Sequence, residues 1–364
     1  MSLPFERIAA ACRKQERGKN MSEIDYIVKQ LETLVNIPSP SGFTRQAIEY
    51  VEKEAAELGF ETKRLRKGGT VIYVPSKNPC EDRVIGLSAH VDTLGAMVRS
   101  INGNGTLRLT SIGGFMMESI ESTYCKVHTR AGKTYTGTVL TKAPAVHTFD
   151  DARTMERKEK NMEVRLDEIA AKKEDVEALG IETGDFISFD PCFVECESGY
   201  IKSRHLDDKA AVALLLGLLK YMKDTGNRPE CDVQIVISNY EEIGFGASFI
   251  PQEITEFVAV DMGAVGDDLA GEERKVSICA KDAGGTYDYE LTGKLISVAK
   301  ERKLDYVVDV FPHYSSDVTA ALRGGNNICG ALIGPGVQAS HNIERTHRLG
   351  LENTLELLKG YLEV

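Results

Sequence analysis

The stretch VIGLSAHVD at residues 84–92 is an apolar run of one strand's length that ends on a histidine and an aspartate. Val84 to Ala89 lacks the polar alternation of a half-exposed strand, so it reads as a strand covered on both faces, with His90-Val91-Asp92 at its end. Upstream, Ile24, Ile27, Leu31 and Leu34 recur at helical spacing until Pro38 and Pro40 close the segment. A second helix carries Ala47, Ile48, Val51, Ala55 and Leu58 and ends at Gly59, and strands follow at Phe60 to Leu65 and Gly69 to Val74.

Downstream the texture changes. Between residues 93 and 199, short alternating strands such as Thr106 to Leu109 and Tyr124 to Thr129 are separated by turns at Gly103-Asn104-Gly105 and Ala131-Gly132, which predicts an inserted β-rich module. Arg153 to Lys160 reads as a solvated loop or exposed helix face. From Tyr200 onward helix and strand alternate: a helix over Asp208 to Met222, strands at Val233 to Ser238 and Phe257 to Val260, a helix over Leu291 to Lys300, strands at Tyr306 to Phe311 and Ile328 to Ile333, and a helix over Leu351 to Tyr361. The expectation is an α/β fold, a mostly parallel sheet flanked by helices, built from residues 21–92 and 200–364 and interrupted by the module at 93–199.

The chain has 364 residues, more than one core usually supports, with 42% hydrophobic and 27% charged residues. Its formal charge of -11 would repel phosphate backbones, so no nucleic-acid partner is expected. The longest apolar run, Ala210 to Leu219, falls well short of the roughly 20 residues of a bilayer span and reads as a core helix, so no membrane partner is expected. The first twenty residues lack an apolar signal-peptide stretch, and a cytoplasmic location is expected. Met21-Ser-Glu reads as a natural start, which makes residues 1–20 a leader or extension. Eight cysteines are scattered without a CxxC pair, and Cys192 and Cys196, which lie close, are expected as reduced thiols.

Metal-competent residues stand at the ends of the predicted central strands, where open α/β sheets hold their sites. His90 and Asp92 follow one strand, Glu241-Glu242 another and Asp261 a third; Asp207-Asp208 opens the long helix, and His341 follows the turn Gly334-Pro335-Gly336. Taken singly, each has an ordinary use: HxD as a surface or core pair, Asp207 or Asp208 as an N-cap, Glu241-Glu242 as solvated charge, Asp261 as a turn former, His341 as a cap. Taken together in a chain with seven histidines, they suggest a ligand set suited to zinc, cobalt or manganese. In Glu241-Glu242 one carboxylate can bind metal while its neighbour moves protons in amide hydrolysis. Asp92 can accept the second ring N–H of His90 and fix its tautomer.

These segments resemble the tetrahedral aminopeptidases, also called glutamyl or deblocking aminopeptidases, from about Ile24 to Val364. AHVDTLGAMV (89–98), LGIETGDFISFDP (179–191), SRHLDDKAAVALLL (203–216), ISNYEEIGFGAS (237–248), VAVDMG (258–263), YSSDVTAA (314–321) and ASHNIERTH (339–347) carry the resemblance. It implies two divalent cations, zinc or in some relatives cobalt, held by His90, Asp207, Glu242, Asp261 and His341, with Asp207 bridging and Glu241 as general base. It also implies a cis Asp207-Asp208 peptide. One ion would take His90, Glu242 and the bridge and the other Asp261 and His341, or an equivalent partition.

The insertion falls in the 117 residues between His90 and Asp207, as in this family; carboxypeptidase and deacylase relatives carry theirs between the fourth and fifth ligands, here only 80 residues apart. By the same resemblance the module at 93–199 is a dimerisation domain, and dimers build a hollow dodecamer that admits short peptides. Thr93, where many members have glutamate, and Lys209 in HLDDKAA depart from the family pattern. HVDTLGAMV, SRHLDDKA and SHNIERTH also resemble a subgroup of peptidases linked to dipeptide-type osmoprotectants. The expected function is a dinuclear metallo-aminopeptidase acting on short peptides. The alternatives are a metal-dependent deacylase or amidase on N-acylated amino acids or small dipeptides, and a non-catalytic metal-stabilised scaffold. Arg204, Lys209, Ser315, Asp317 and His347 are candidates to line the substrate cavity.

Overall fold

The computed structural model describes residues 21–78, 80 and 82–364, so the expected leader at 1–20 lies outside the described residues. Helix α1 (Glu23–Val35) starts where the Ser22 hydroxyl accepts the Asp25 N–H, and its Ile27, Leu31 and Leu34 are buried. Helix α2 (Arg45–Glu57) and strands β1 (Glu61–Arg64), β2 (Thr70–Val74) and β3 (Ile85–His90) follow. Every residue of β3 is buried, as its unbroken apolar character predicts.

The chain then builds six strands, β4 (Gly95–Ile101), β5 (Leu107–Ile112), β6 (Tyr124–His128), β7 (Thr134–Thr141), β8 (Met162–Leu166) and, after the short helix α3 (Lys173–Ala178), β9 (Phe186–Phe189). They close into an antiparallel barrel in the order β4-β5-β8-β7-β6-β9. Inward residues such as Val98, Leu109, Val127, Val164 and Ile187 form a separate apolar core. Arg153 to Lys160 is not wholly solvated: the Arg157 guanidinium pairs with Glu121 and the Glu159 carboxylate accepts the Ser111 N–H. By Val194 the chain has left the barrel, because β10 (Val194–Glu195) already pairs with β11 (Tyr200–Ser203) at the edge of the large sheet.

Helix α4 (Leu206–Thr225) contains the apolar run Ala210 to Leu219 and is buried almost all round, hence a core helix. It crosses α1 at Gly217, where a Cβ would meet Ile27 at 2.4 Å, so only glycine allows that approach. The rest of the chain gives β12 (Val233–Ser238), β13 (Glu256–Val260), β14 (Gly263–Val265), β15 (Val276–Asp282), β16 (Gly285–Thr286), helix α5 (Tyr289–Glu301), β17 (Tyr306–Val310), helix α6 (Asp317–Arg323), β18 (Cys329–Gln338), β19 (Glu344–His347) and helix α7 (Arg348–Leu362). The sheet runs β1-β2-β12-β3-β13-β18-β19-β11-β10, and its centre is parallel. Alternate residues serve opposite faces: Val258 and Val260 pack with α1, α4 and α7, whereas Phe257 and Ala259 pack with Phe311 and Val318.

Strand β15 and the short helix α6 carry no strong local signal and depend on sheet and loop packing. Cys192 and Cys196 are free thiols, whereas Cys80 and Cys231, 151 residues apart, form a disulfide that no spacing in the sequence indicates. Among the described residues no helix is long and apolar enough to cross a membrane.

Candidate metal centre

The in-phase parallel pairing of β12 with β3 sets Ser238 beside His90, and β13 ends one strand further along. Asp92, Glu241, Glu242 and Asp261 therefore leave the same carboxyl edge as His90. The backbone turns sharply where these residues must be presented: Tyr240 (φ 73°), His205 (φ 67°) and His341 (φ 65°) are left-handed. Neither Asp207 nor Asp208 caps α4. Both have non-helical backbones, the left-handed His205 occupies the cap position, and the 207–208 peptide is cis.

Asp207 lies between the two imidazoles. Its Oδ1 is 3.2 Å from His90 Nε2 and its Oδ2 is 3.4 Å from His341 Nε2. Each imidazole donates its Nδ1–H to a main-chain carbonyl, His90 to Asp92 at 2.9 Å and His341 to Gly114 of the barrel, which leaves both Nε2 atoms facing the carboxylates. Two groups of potential ligands result, His90 with Asp208 and Asp261, and Asp207 with Glu242 and His341; in each, one ligand atom per residue lies within 4.8 Å of the others. His90 is thus grouped with Asp261 and His341 with Glu242, not His90 with Glu242. Asp208 joins the first group, although its sequence position reads more simply as a helix start.

The carboxylate of Asp92 does not perform the task expected of it. The main-chain carbonyl of Asp92 holds His90, while its carboxylate accepts the N–H groups of Glu241 (3.2 Å) and Glu242 (3.3 Å) and the Ser41 hydroxyl. Asp92 therefore fixes the loop that presents both glutamates. Glu344, missed in the sequence, ties the other side together: its carboxylate oxygens accept the N–H of Asp207 (3.1 Å) and of His341 (3.0 Å). The only sequence signal for it is a glutamate three residues after His341.

Of the residues expected to line a substrate cavity, Arg204 lines one together with Asp207, Glu242 and His341, and Lys209 lines another beside the end of α1 and the barrel. Arg204 donates to the Ser119 carbonyl and the Thr123 hydroxyl, joining barrel to sheet. Lys209 is buried with its ammonium on the Leu34 and Ile37 carbonyls at the end of α1, and His347 caps α7 by accepting the Leu349 N–H. Asp317 accepts the Ala247 N–H at 2.7 Å behind the Glu241 loop, and Ser315 is exposed. Thr93 donates to the Leu94 carbonyl.

Burial raises Asp208, Glu241 and Glu242 well above the usual carboxylate range, the charge of Asp207 adding to it at Glu242. Burial and Asp207 push Asp261 up to about 7. For the histidines burial works against the charged form, yet Asp207 and its neighbours overcome it: His90 lies well above its ordinary value and His341 is pushed up to about 10. Burial also opposes ionisation of Asp207, but an imidazole on each oxygen holds its carboxyl far below the usual range. Carboxylates that repel one another, two imidazoles whose Nε2 atoms face those carboxylates and a buried Asp208 Oδ1 without a partner fit a divalent cation site, where positive charge relieves the repulsion.

Comparison with known proteins agrees with this chemistry. The sequence profile of the M42 glutamyl aminopeptidases matches residues 68–357. The Bacillus subtilis (strain 168) protein YhfE, which carries an aminopeptidase name, is 46% identical over 344 residues, 94% of this chain and 99% of its own length. An aminopeptidase from the archaeon Desulfurococcus kamchatkensis shares the fold with a TM-score of 0.83 at 22% identity, covering 94% of this chain and 96% of its own. The Pyrococcus horikoshii TET1 peptidase, which can assemble into a tetrahedron or a large octahedral shell, has a TM-score of 0.81 at 22% identity, covering 92% and 99%.

Proposed function

Because the chain belongs to the M42 glutamyl aminopeptidase family and is a metal-dependent aminopeptidase, we propose that it removes N-terminal residues from short peptides at a centre for two divalent cations. His90 and Asp261 would hold one cation and Glu242 and His341 the other, with Asp207 shared and Asp208 beside the first. Zinc suits this ligand set, as do cobalt and manganese. Such cations, when bound, supply Lewis acidity to the scissile carbonyl and to an attacking water.

Glu241 takes the proton from water and returns it to the leaving amine. The observation that carries this role is its separation from the ligands: Glu241 belongs to neither ligand group, its Oε2 is 3.8 Å from His90 Nε2, and its main chain is pinned by Asp92. Burial, which raises its proton affinity, suits a base that must hold a proton between two steps. Asp92 acts by positioning.

The barrel is proposed as the surface through which copies pair, with larger shells of the kind described for the Pyrococcus horikoshii relative. Sedimentation giving a stable monomer removes that part. A cytoplasmic setting, where short peptides arise from protein turnover, is part of the same reading and is checked by cell fractionation. The activity is tested by loading the protein with zinc, cobalt or manganese and offering free and N-acetylated short peptides. Stepwise release from free N-termini is expected, whereas cleavage confined to blocked substrates would reassign the enzyme as a deacylase.

A further inference from the structure

A cavity of about 340 Å³ opens between the end of α1, the barrel and the start of α4, a volume within the range of about 300–1,000 Å³ usual for small-molecule sites. Neither the candidate metal ligands nor Glu241 line it. His205 and Phe189 line both this cavity and the smaller one that holds Asp207, Glu242 and His341. The larger cavity is therefore separate from the metal centre and shares a wall with it. The proposed chemistry gives it no task.

Lys209 lies at the closed end and is 1% exposed. Two of its three N–H groups go to the Leu34 and Ile37 carbonyls, at 2.8 and 2.7 Å, and among the described residues the ammonium has no other acceptor. A buried cation held only by main-chain carbonyls keeps one donor and its charge uncompensated, which favours an anionic occupant. Val35, Ile37, Phe189 and Pro191 supply apolar wall, so that anion belongs to an organic body rather than to an inorganic ion. The exposed mouth carries Asp167 and Asp190 against a single Lys126. Asp190 uses one oxygen for the Cys192 N–H at 2.9 Å, and among the described residues neither aspartate forms an ion pair. The two ends of the cavity thus differ in sign.

We propose that this cavity is a second binding site for a small organic carboxylate with an amine at its far end: the carboxylate meets Lys209, the body lies along the apolar wall, and the ammonium reaches Asp167 and Asp190. Charge-assisted bonds at both ends set the orientation. A dianion such as phosphate would face the two aspartates on entry, and an amine without a carboxylate would leave Lys209 uncompensated. The site stands on the cavity and its charges, independently of the peptidase reading.

The test is calorimetric titration of the full chain, zinc-loaded and chelator-stripped, with 6-aminohexanoate, which offers both charges and no peptide bond to cleave. Binding of one molecule per chain is expected in both forms, and hexylamine, which lacks the carboxylate, should bind at least about tenfold more weakly. Lys209→Met should weaken 6-aminohexanoate by a similar factor. Because that variant also removes a donor from the end of α1, Thr136→Trp at the exposed mouth serves beside it: it should block binding with an unchanged melting temperature. No binding of 6-aminohexanoate, binding that disappears with the metal, equal binding of hexylamine, or full affinity in Thr136→Trp each overturns the site. Peptide hydrolysis is read in a separate assay, so its failure would remove the peptidase reading and leave this binding in place.

Discussion

His90 and His128 are the same residue type, both buried, and they are driven in opposite directions. His90, at the end of β3, is surrounded by carboxylates that overcome the cost of burial and hold its proton. His128, at the end of β6 in the barrel, is buried against Phe43 with Ser188 as its partner, and burial together with Lys126 lowers it to about 4. The barrel is an ordinary apolar core that keeps its histidine neutral. The carboxyl edge of the large sheet gathers mutually repelling charges, an arrangement that costs stability unless a cation neutralises it. The two regions meet through Arg204, through the Gly114 carbonyl on His341 and through Phe43, which packs on His128 and Phe186.

The largest expected effect tests the chemical end of this contrast. Glu241→Gln should lower peptide hydrolysis by at least about 10²–10⁴-fold with metal content and melting temperature nearly unchanged; retained turnover would take Glu241 out of the base role. Adding zinc to stripped protein should raise its melting temperature and make it concentration-dependent, by linkage of binding to the native state. Differential scanning calorimetry across a zinc series reads this, and a flat series would contradict the view of the sheet edge as a charge-strained cation site.

The barrel should answer differently. Leu109→Ala, at a buried barrel position, should cost about 2–5 kcal/mol in chemical denaturation while per-site metal affinity stays constant. Metal affinity falling in step with stability would merge the two regions into one unit.

The smallest expected effect concerns acid. The folded-state value of His128 lies below its unfolded value of about 6.5, so the unfolded chain binds more protons between pH 6.5 and about 4. Its contribution to stability is therefore constant above pH 6.5 and lost as pH falls through that window. His128→Gln should flatten the fall between pH 6.5 and 4 in urea midpoints, and an unchanged slope would count against a neutral, buried His128.

Much of the centre was legible because the relevant signals are local. An apolar run closing on His90 announces a buried strand and its polar terminus, and the doublet at Glu241 offers a ligand beside a base. Reading Asp207 as a possible N-cap was reasonable for a carboxylate before an apolar helix, and it failed because the left-handed His205 starts α4 while the two aspartates point into the site. Asp92 lies two residues from His90, a spacing that suggests a side-chain contact, but the bend after β3 brings its main-chain carbonyl to the imidazole and frees the carboxylate for the Glu241 loop. Lys209, one step along the helix from Asp208, turns its ammonium toward the end of α1 and lines the cavity there with Asn36 and Ser188.

The sequence by itself determined the α/β class, the position of the β-rich insertion and the residue types offered at the strand ends, because periodicity, turn chemistry and ligand type are properties of short segments. The tertiary structure decided the grouping of His90 with Asp261 and of Glu242 with His341, and the entry of Asp208 into the first group. Those are distances between residues far apart in the chain, and they depend on strand order, register and loop backbone. A shift of one residue in the pairing of β3 with β12 would turn His90 to the opposite face and disperse the ligands without altering one local signal.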